Sequence, residues 1–259
     1  VYGFLGANGA GKTTLLQMIC GIIEPTSGEV KIDGENNIQM GERFRDILGY
    51  LPQEFGYTPG FTAQDFMLYI ASIKGLQPQY ANQKTRQLLR LVNLENEANR
   101  KIRTFSGGMK QRLGIAQAIV GEPKVLIFDE PTAGLDAKER IRFRNVISSL
   151  AADKIVILAT HIVTDIAYVA KTVVLMNDGR IIKTGTQEEL CSDISDKVWE
   201  ITAQSDKVMD YMNRMRVSKA VSDGNKYTLR IVSDEYPEND AVSVPPTLED
   251  VCIYYFGDM

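Results

Sequence analysis

Apolar runs of strand length alternate with segments of helical period along most of this chain. Residues 125–128 and 155–159 are apolar throughout and lack the two-residue alternation of a sheet with one face in water. Such runs indicate parallel strands that are covered on both faces. Shorter strands are predicted at residues 1–5 and 47–51, and a helix at residues 14–19. The pattern therefore predicts an α/β fold with a mainly parallel sheet.

A stretch with helical periodicity interrupts this alternation. Thr62 and Asp65 form a capping-box pattern at the start of a helix that Gly75 ends, and residues 83–92 continue as a second helix. We predict a helical subdomain at residues 57–120, which ends with a third helix.

The rest of the chain is predicted to hold a hairpin and then a weaker pattern. Asn177-Asp178-Gly179 is a turn sequence between strands at 172–176 and 180–183. Farther along, we predict a strand near Trp199, a helix at 208–214 and a strand at 227–232. Residues 1–190 are expected to form the main domain, and residues 191–259 a small α+β appendage.

A phosphate-binding loop lies between the first strand and the first helix. Its sequence is Gly6-Ala7-Asn8-Gly9-Ala10-Gly11-Lys12-Thr13, a complete G-x-x-x-x-G-K-[ST] motif. The glycines let backbone N–H groups turn toward phosphate oxygens, and the helix that continues at Thr14 adds its dipole. Lys12 is expected to reach the β- and γ-phosphates, and the Thr13 hydroxyl to bind Mg²⁺. This loop and Thr14 form the predicted nucleoside-triphosphate site of a P-loop NTPase core.

Two consecutive carboxylates follow the apolar run at residues 125–128. Consecutive strand residues point to opposite sides, so Asp129 and Glu130 cannot share one role. Asp129 is expected to bind Mg²⁺, and Glu130, just past the strand end, to orient or deprotonate a water molecule. The alternative is a plain acidic turn at a strand end.

A second possible anion site precedes the helix predicted at residues 109–120. Ser106, Gly107 and Gly108 place a hydroxyl and two glycines at a helix start, where N–H groups attract anions. Taken alone, the segment is better explained as a serine N-cap with a glycine hinge. Together with the phosphate loop and the carboxylate pair, however, it resembles the signature motif of ATP-binding cassette (ABC) transporter subunits. The carboxylate pair is similar to the Walker B site of that family.

The resemblance implies roles for three further residues. Gln53 matches the Q-loop glutamine, which implies contacts to Mg²⁺ and water and a link to a membrane partner. Asp136, in Ala133-Gly134-Leu135-Asp136, resembles the D-loop aspartate, which implies communication between the two sites of a dimer. His161, the single histidine of the chain, follows a predicted strand where the family places its γ-phosphate switch. His161 and Glu130 are the two catalytic residues that the resemblance implies.

The resemblance also implies the assembly in which ATP and Mg²⁺ are used. Two ATPase subunits would face head to tail, with each ATP between one phosphate loop and the Ser106-Gly107-Gly108 segment of the other subunit. A homodimer and a heterodimer fit the sequence equally well. Transmembrane permease subunits, as separate chains, would hold the dimer peripherally at the cytoplasmic face of the cell membrane.

Two departures from the family pattern are visible. Met109 stands where the signature motif usually has glutamine, so any hydrogen bond made by that side chain is lost. The adenine-stacking aromatic residue of the family would lie before residue 1, because Tyr2 is inside the first predicted strand. We therefore expect that the chain is truncated at its N-terminus and that it binds nucleotide more weakly than the complete subunit, by about 1–3 kcal/mol.

The end of the chain carries a hint about the direction of transport. Pro245-Pro246-Thr247-Leu248-Glu249-Asp250-Val251 is similar to a run near the end of export-type ABC ATPases of the ABC-2 kind, which serve drug export and bacteriocin immunity. The alternative is a capped C-terminal helix, in which Thr247 pairs with Asp250. Export is the favoured prediction.

Composition disfavours several classes of protein. The chain has 259 residues, 44% hydrophobic content and a formal charge of −4, which disfavours disorder and nucleic-acid binding. Its longest apolar runs are far shorter than the roughly 20 residues that span a bilayer. Cys20, Cys191 and Cys252 lack metal-ligand spacing, so buried reduced thiols and a cytosolic setting are expected.

Two rival functions share the same site chemistry. A mechanochemical ABC ATPase acting on DNA or ribosomes would resemble tandem cassettes or carry long coiled coils, and this chain has no heptad run. A nucleotide-binding regulator without hydrolysis is disfavoured because Glu130 and His161 are both present.

Overall fold

The structure is a computed structural model that describes residues 1–237 and 240–257. Its internal contacts divide the chain into two compact units. The first unit comprises Val1–Gly3 and Lys12–Thr160, and the second comprises Phe4–Gly11 and His161–Met259. Strand β1 (Tyr2–Leu5) is divided between them.

The first unit contains a three-stranded parallel sheet, a small antiparallel pair of strands, and helices. Its further elements, in chain order, are α1 (Lys12–Ile19), β2 (Lys31–Ile32), β3 (Glu35–Asn36), α2 (Asn37–Met40), α3 (Glu42–Ile47), β4 (Leu48–Leu51), α4 (Ala63–Ile73), α5 (Pro78–Leu91), α6 (Gly107–Ala118), β5 (Val125–Asp129), α7 (Ala137–Leu150) and β6 (Ile155–Thr160). Strands β4, β5 and β6 pair in parallel in that order. All five residues of β5 are buried, which confirms the prediction from its unbroken apolar run.

The register of this sheet brings three strand ends to one edge. Leu51 of β4 pairs with Phe128 of β5, and Asp129 of β5 pairs with Ala159 of β6. Helix α1 packs against β5 and β6. Ligands of open α/β sheets bind at the carboxyl ends of the parallel strands, so a ligand site is expected at this edge.

The predicted helices between β4 and β5 are present. The Thr62 capping box of α4 is complete, because the Thr62 hydroxyl accepts from the Asp65 N–H at 3.1 Å and the Asp65 carboxylate accepts from the Thr62 N–H at 3.2 Å. Helix α5 begins at Pro78, earlier than the predicted residue 83. Proline is favourable there because the first helical turn leaves its N–H positions without intrahelical partners.

The second unit begins with a helix and a hairpin and continues into a mixed α and β region. Its elements are α8 (Val163–Val169), β7 (Thr172–Asn177), β8 (Arg180–Gly185), α9 (Gln187–Ser192), β9 (Val198–Gln204), α10 (Val208–Arg214), β10 (Arg216–Asp223), β11 (Lys226–Val232), β12 (Val242–Ser243) and α11 (Leu248–Phe256). The β7–β8 hairpin is confirmed, and its turn residues Asp178 and Gly179 have φ angles of 47° and 72°.

Beyond α9, four antiparallel strands pair in the order β10-β11-β9-β12. Ile201, Leu229 and Ile231 from this sheet pack with Val208 and Tyr211 of α10 in one apolar cluster. Strand β10 was not predicted from the sequence. Most of its residues are exposed, because it is an edge strand, so it shows no buried alternation.

A buried ionic cluster fixes the start of α11. Asp250 is fully buried, and its carboxylate accepts hydrogen bonds from Ser218 at 2.5 Å, Arg230 at 2.9 Å and the Thr247 N–H at 2.7 Å. Burial alone would raise the pKa of Asp250, but the Arg230, Ser218 and Thr247 bonds outweigh it, so that the pKa is lowered. The capped helix that the sequence analysis gave as the alternative for this segment is therefore present.

Two further expectations concern cysteines and membrane spans. All three cysteines are free thiols, and Cys20 and Cys252 are buried as expected, but Cys191 is partly exposed. Within residues 1–237 and 240–257, no helix combines the length and apolar character needed to cross a membrane.

Candidate nucleotide-binding site

The phosphate loop is shaped by glycines at positions where a side chain would not fit. A Cβ atom at Gly6 would overlap the carbonyl oxygen of Met176 in β7. Gly11 has a φ angle of 92°, and a Cβ atom there would lie 3.3 Å from the Cα of Gly179. The Gly179 N–H also donates to the Ala10 carbonyl at 3.0 Å. The β7–β8 turn therefore supports the loop from within the same unit.

Lys12 and Glu130 face each other inside the first unit. The Lys12 Nζ lies 3.5 Å from Glu130 Oε1, and the two side chains are only 6% and 5% exposed. Glu130 Oε2 accepts a hydrogen bond from the Thr160 hydroxyl at 3.0 Å. The Glu130 N–H donates to the Ala159 carbonyl at 2.8 Å. The strand end, a cation and a hydroxyl thus fix the position of this carboxylate.

The backbone of Glu130 is strained. Its φ angle is 47°, in the left-handed region that non-glycine residues seldom adopt. Such strain is kept where surrounding structure enforces it and is concentrated at functional sites. Glu130 therefore departs from the extended backbone of strand β5, and its role stays a prediction.

Asp129 is a buried carboxylate without hydrogen-bond partners. Its side chain is fully buried, and neither Oδ1 nor Oδ2 has a partner within residues 1–237 and 240–257. Burial raises the pKa of Asp129, and Glu130 adds to the rise, while the nearby Thr13 hydroxyl and Lys12 ammonium oppose it. Leaving such a group unsatisfied is costly, which marks Asp129 as a candidate ligand for something outside the chain.

These groups fit a divalent cation. Mg²⁺ takes oxygen ligands and usually keeps water and nucleotide phosphates among them, and Asp129 and Thr13 offer carboxylate and hydroxyl oxygens side by side. Gln53 lies two residues after β4, so the pairing of Leu51 with Phe128 brings it out at the same sheet edge as Asp129. The described part of the chain has no group of three His, Cys, Asp or Glu residues able to hold a metal alone, so phosphates and water would complete the ligand set.

Ser106 and Asp136 each cap a helix. The Ser106 hydroxyl accepts from the Met109 N–H at 3.2 Å at the start of α6. The Asp136 carboxylate accepts from the Glu139 N–H at 2.8 Å at the start of α7. Both caps are exposed, so their helix starts are accessible from solvent. The serine N-cap considered from the sequence is thus present.

The segments that begin α6 and α7 lie against each other. A Cβ atom at Gly108 would lie 3.4 Å from Leu135 Cδ2 and 3.6 Å from Glu139 Cγ. Arg112 Nε in α6 lies 2.9 Å from Glu139 Oε2 in α7. The structure thus brings together two short segments that the sequence analysis treated separately.

His161 directly follows β6 and is exposed. The division between the two units falls between Thr160 and His161. The place of His161 after the strand agrees with the sequence analysis, and its role stays a prediction.

A phosphate loop, a buried carboxylate pair at the end of a parallel strand and a glycine-containing helix start occur together in this chain. A family model described as ABC transporter matches residues 1–133, which is just over half of the chain. The chain belongs to the ABC transporter family. It is an ATP-binding cassette with an α/β P-loop fold, in a family of ATPases, which confirms the predicted resemblance.

Two curated relatives show how far the similarity extends. The uncharacterized ABC transporter ATP-binding protein YxlF of Bacillus subtilis is 39% identical over 186 residues, covering 72% of this chain and 61% of the relative. The Nod factor export ATP-binding protein I of Burkholderia lata is 36% identical over 202 residues, covering 77% of this chain and 66% of the relative. The matched region is thus less than two thirds of each of these relatives.

A solved ABC cassette has the same architecture. The dimeric post-hydrolysis structure of the ATP-binding cassette MJ0796, bound to ADP and Pi, superposes with a TM-score of 0.66 and 26% sequence identity. The match covers 71% of this chain and 84% of that cassette.

Sequence reasoning did not identify three residues of this ABC cassette. Thr160 contacts Glu130, and its signal was a polar residue that ends an otherwise apolar strand. Arg112 and Glu139 form the contact between α6 and α7. Their separation along the chain left no local pattern that would have paired them.

Proposed function

We propose that this chain is the ATP-binding and ATP-hydrolysing subunit that energises an ABC membrane transporter, and that the transporter is an exporter. The single observation that carries the nucleotide-binding part of the proposal is Asp129, a fully buried carboxylate with no hydrogen-bond partner in the described residues, beside Lys12 and Thr13. This arrangement costs stability in the free chain and is understandable if Mg²⁺ and a nucleoside triphosphate complete it.

The phosphate loop would bind ATP through its backbone. Residues Gly6, Ala7, Asn8, Gly9, Ala10, Gly11, Lys12, Thr13 and Thr14 form the proposed nucleotide contacts. Gly9 and Gly11, with φ angles of 85° and 92°, let the loop present N–H groups to phosphate oxygens. The Lys12 ammonium, already buried, would exchange part of its contact with Glu130 for the β- and γ-phosphates.

Asp129, Thr13 and Gln53 are the proposed Mg²⁺ ligands. Bound there with the nucleotide, the ion would neutralise charge on the β- and γ-phosphate oxygens. The role of the chain is to hold the ligand oxygens in place, which the buried position of Asp129 and the strand register near Gln53 support.

Glu130 is the proposed general base. Its carboxylate is fixed by Thr160 and Lys12, so it can orient a water molecule and accept its proton as the water attacks the γ-phosphorus. His161 would contact the γ-phosphate from the end of β6. The burial of Glu130, at 5% exposure, limits access of other water to the carboxylate.

The proposed catalytic assembly is a head-to-tail dimer. Ser106, Gly107 and Gly108 would face the ATP held by the other subunit, with the start of α6 directed at the γ-phosphate. Asp136 would report closure from one site to the other. Because ATP would join the two subunits and hydrolysis would remove the joining group, nucleotide state would control opening and closing. The dimeric state of MJ0796 supports the dimer, and either a second copy or a different ATPase subunit fits.

A groove in the first unit suits a membrane partner. Its volume is about 640 Å³, and its lining includes Tyr50 of β4 together with Ile70 and Ile73 of α4. The partner we propose is a cytoplasmic segment of a transmembrane permease subunit, docked close to the Gln53 loop. That would place the chain at the cytoplasmic face of the membrane as a peripheral subunit, without a role for nucleic acid.

The domain limits and the direction of transport complete the proposal. Residues 1–190 would form the nucleotide-binding domain, with the helical subdomain at 57–120, and residues 191–259 would form an accessory region. Export is supported by the similarity to a Nod factor export protein and by the Pro-Thr-Leu-Glu-Asp-Val run before and within α11.

The test is capture with Glu130→Gln in the full subunit, from detergent-solubilised membranes with ATP present. We expect retained ATP binding, a trapped closed dimer, and turnover lower by about two orders of magnitude or more. A co-purified polytopic membrane protein supports the proposal. Glu188→Gln, on an exposed face of α9, is the matched control and should behave as wild type. Co-purified ribosomes or nucleic acid, or near-normal hydrolysis by Glu130→Gln, would overturn it.

A further inference from the structure

We infer that Glu139 is a positioning residue that makes the signature segment and the D-loop segment of one subunit move as a single body. The inference rests on the proposed function, because that proposal directs both segments at the nucleotide of the partner subunit. Glu139 is not among the residues proposed to contact the nucleotide.

The side chain of Glu139 links two helices. Its Oε2 lies 2.9 Å from Arg112 Nε of α6, and its Oε1 lies 2.9 Å from Arg142 Nη1 of the same helix, α7. Glu139 and Arg112 are 15% and 17% exposed, so their pair is largely removed from water. Neither Arg112 Nε nor Glu139 Oε2 makes an aligned hydrogen bond in the described residues, so the pair is held by the attraction of its charges, which low exposure screens less than on an open surface.

Arg112 extends the link to a third helix. Its Nη1 donates to the carbonyls of Val92 at 2.9 Å and Asn93 at 2.8 Å, which follow the end of α5. One guanidinium therefore joins α5, α6 and α7. Of the two cations on Glu139, Arg112 alone joins different helices, because Arg142 lies one turn farther along α7.

Glu139 also touches both functional segments. A Cβ atom placed on Gly108 would lie 3.6 Å from Glu139 Cγ, so the side chain of Glu139 is a neighbour of the signature glycine. Its backbone N–H donates to the Asp136 carboxylate at 2.8 Å and completes the D-loop cap. Glu139 thus lies beside Gly108 with its side chain and is hydrogen-bonded to Asp136 through its backbone.

The consequence is mechanical. If both segments must reach the partner nucleotide together, a fixed spacing between them lowers the cost of closing the dimer. Lys12 and Thr13, which would bind ATP within the same subunit, make no part of this link. Loss of the link should therefore lower kcat and weaken ATP-dependent dimerisation, while the ATP affinity of the monomer stays unchanged.

The experiment compares Glu139→Gln with Arg142→Gln in the full subunit. Steady-state ATP turnover is measured against ATP and against protein concentration, and monomer affinity is measured at low protein concentration with a fluorescent ATP analogue. We expect Glu139→Gln to lower kcat about fivefold or more, as for coupled contacts of this size, with monomer affinity unchanged. Arg142→Gln, which removes only the contact within α7, should stay within about twofold of wild type.

A double-mutant cycle separates a loss of positioning from a loss of folded protein. Arg112→Gln and the double variant are measured alongside, together with thermal unfolding of every protein. If the pair acts as one link, the double variant is no slower than the slower single variant. Equal effects of Glu139→Gln and Arg142→Gln, or kcat losses that only follow the folded fraction, would overturn the inference.

The variant Ser106→Ala distinguishes a failure of this inference from a failure of the proposed function. If Ser106→Ala slows turnover and Glu139→Gln does not, only the inference fails. If Ser106→Ala changes neither turnover nor its dependence on protein concentration, the proposed site across the dimer fails, and the inference with it.

Discussion

Two fully buried aspartates, Asp129 in the first unit and Asp250 in the second, differ in their hydrogen bonds and in the direction of their pKa shifts. The Asp250 carboxylate accepts hydrogen bonds from Ser218, Arg230 and Thr247, and these lower its pKa although burial alone would raise it. The Asp129 carboxylate has no hydrogen-bond partner in the described residues, and burial raises its pKa. The same side chain therefore occurs once as a satisfied group and once as an unsatisfied one.

The difference indicates which carboxylate has a structural role and which is kept for a ligand. All the acceptor capacity used at Asp250 goes to groups of the chain itself, so it ties α11 to β10 and β11. Asp129 retains its acceptor capacity at a sheet edge beside Lys12 and Thr13. Functional sites commonly contain groups that reduce the stability of the free protein. Asparagine, which keeps the shape but removes the charge, should have opposite effects at the two positions.

The largest effect is expected at Asp250. Asp250→Asn leaves Arg230, which is only 13% exposed, without its full counter-charge and should lower the free energy of unfolding by about 3–5 kcal/mol. Urea denaturation monitored by the single tryptophan, Trp199 in β9, measures this loss. Asp234→Asn is the control, because Asp234 is 64% exposed and its pair with Lys197 should contribute far less. Equal losses in the two variants would contradict the structural role of Asp250.

The second-largest effect is expected on the ATP turnover of an Asp129 variant. Asp129→Asn should reduce Mg²⁺-dependent ATP turnover by about a hundredfold or more, because a neutral amide is a poor ligand for a hard cation. Turnover is measured as phosphate release against Mg²⁺ concentration. Asp153→Asn, at an exposed position before β6, serves as the control and should retain wild-type activity. An Asp129→Asn protein with normal turnover would remove Asp129 from the metal site.

These two aspartates also show what could be predicted from the sequence. Asp129 was assigned correctly to the end of a buried strand, because the apolar run before it and the phosphate loop are local patterns with a direct physical meaning. The parallel pairing of β5 and β6 followed from the same unbroken runs. That assignment needed no knowledge of distant contacts.

The partners of the Asp250 carboxylate could be predicted only in part from the sequence. Its cap with Thr247 is local and was considered, but Ser218 and Arg230 are 32 and 20 residues away. Ser218 lies in β10, an edge strand whose exposed residues gave no strand pattern. The link between Arg112 and Glu139 was missed for the same reason, since it depends on how α6 packs against α7. Contacts between distant elements are decided by packing, which no local pattern shows.

A smaller effect is expected on the stability of the nucleotide-free chain. Asp129→Asn replaces an unsatisfied buried charge with a neutral group and should raise the free energy of unfolding by about 1–3 kcal/mol. Urea denaturation without nucleotide or Mg²⁺ measures the gain. Saturating Mg²⁺ and ATP should stabilise the wild type more than the variant and so reduce the gain. A destabilised variant in the absence of ligand would show that Asp129 is satisfied within the chain.

The smallest effect, and the sharpest test of the comparison, is the pH dependence of these two stability differences. Both carboxyls have an ordinary pKa of 3.8, and the folded-state value lies above it at Asp129 and below it at Asp250. Asp129 therefore destabilises the fold at neutral pH, and this cost disappears as the pH falls through its raised pKa toward 3.8. Asp250 stabilises the fold fully above 3.8, and this contribution is lost only as the pH falls through its lowered pKa.

Urea denaturation of the wild type and both asparagine variants between pH 7 and pH 3 separates the two aspartates. The gain of Asp129→Asn should shrink mainly above pH 3.8, whereas the loss of Asp250→Asn should stay nearly constant down to about that pH and shrink mainly below it. Each unit of pKa shift contributes about 1.4 kcal/mol to these changes, so their size reports the two shifts separately. If both differences changed in the same pH range, the two carboxylates would share one kind of environment, and the distinction between them would fail.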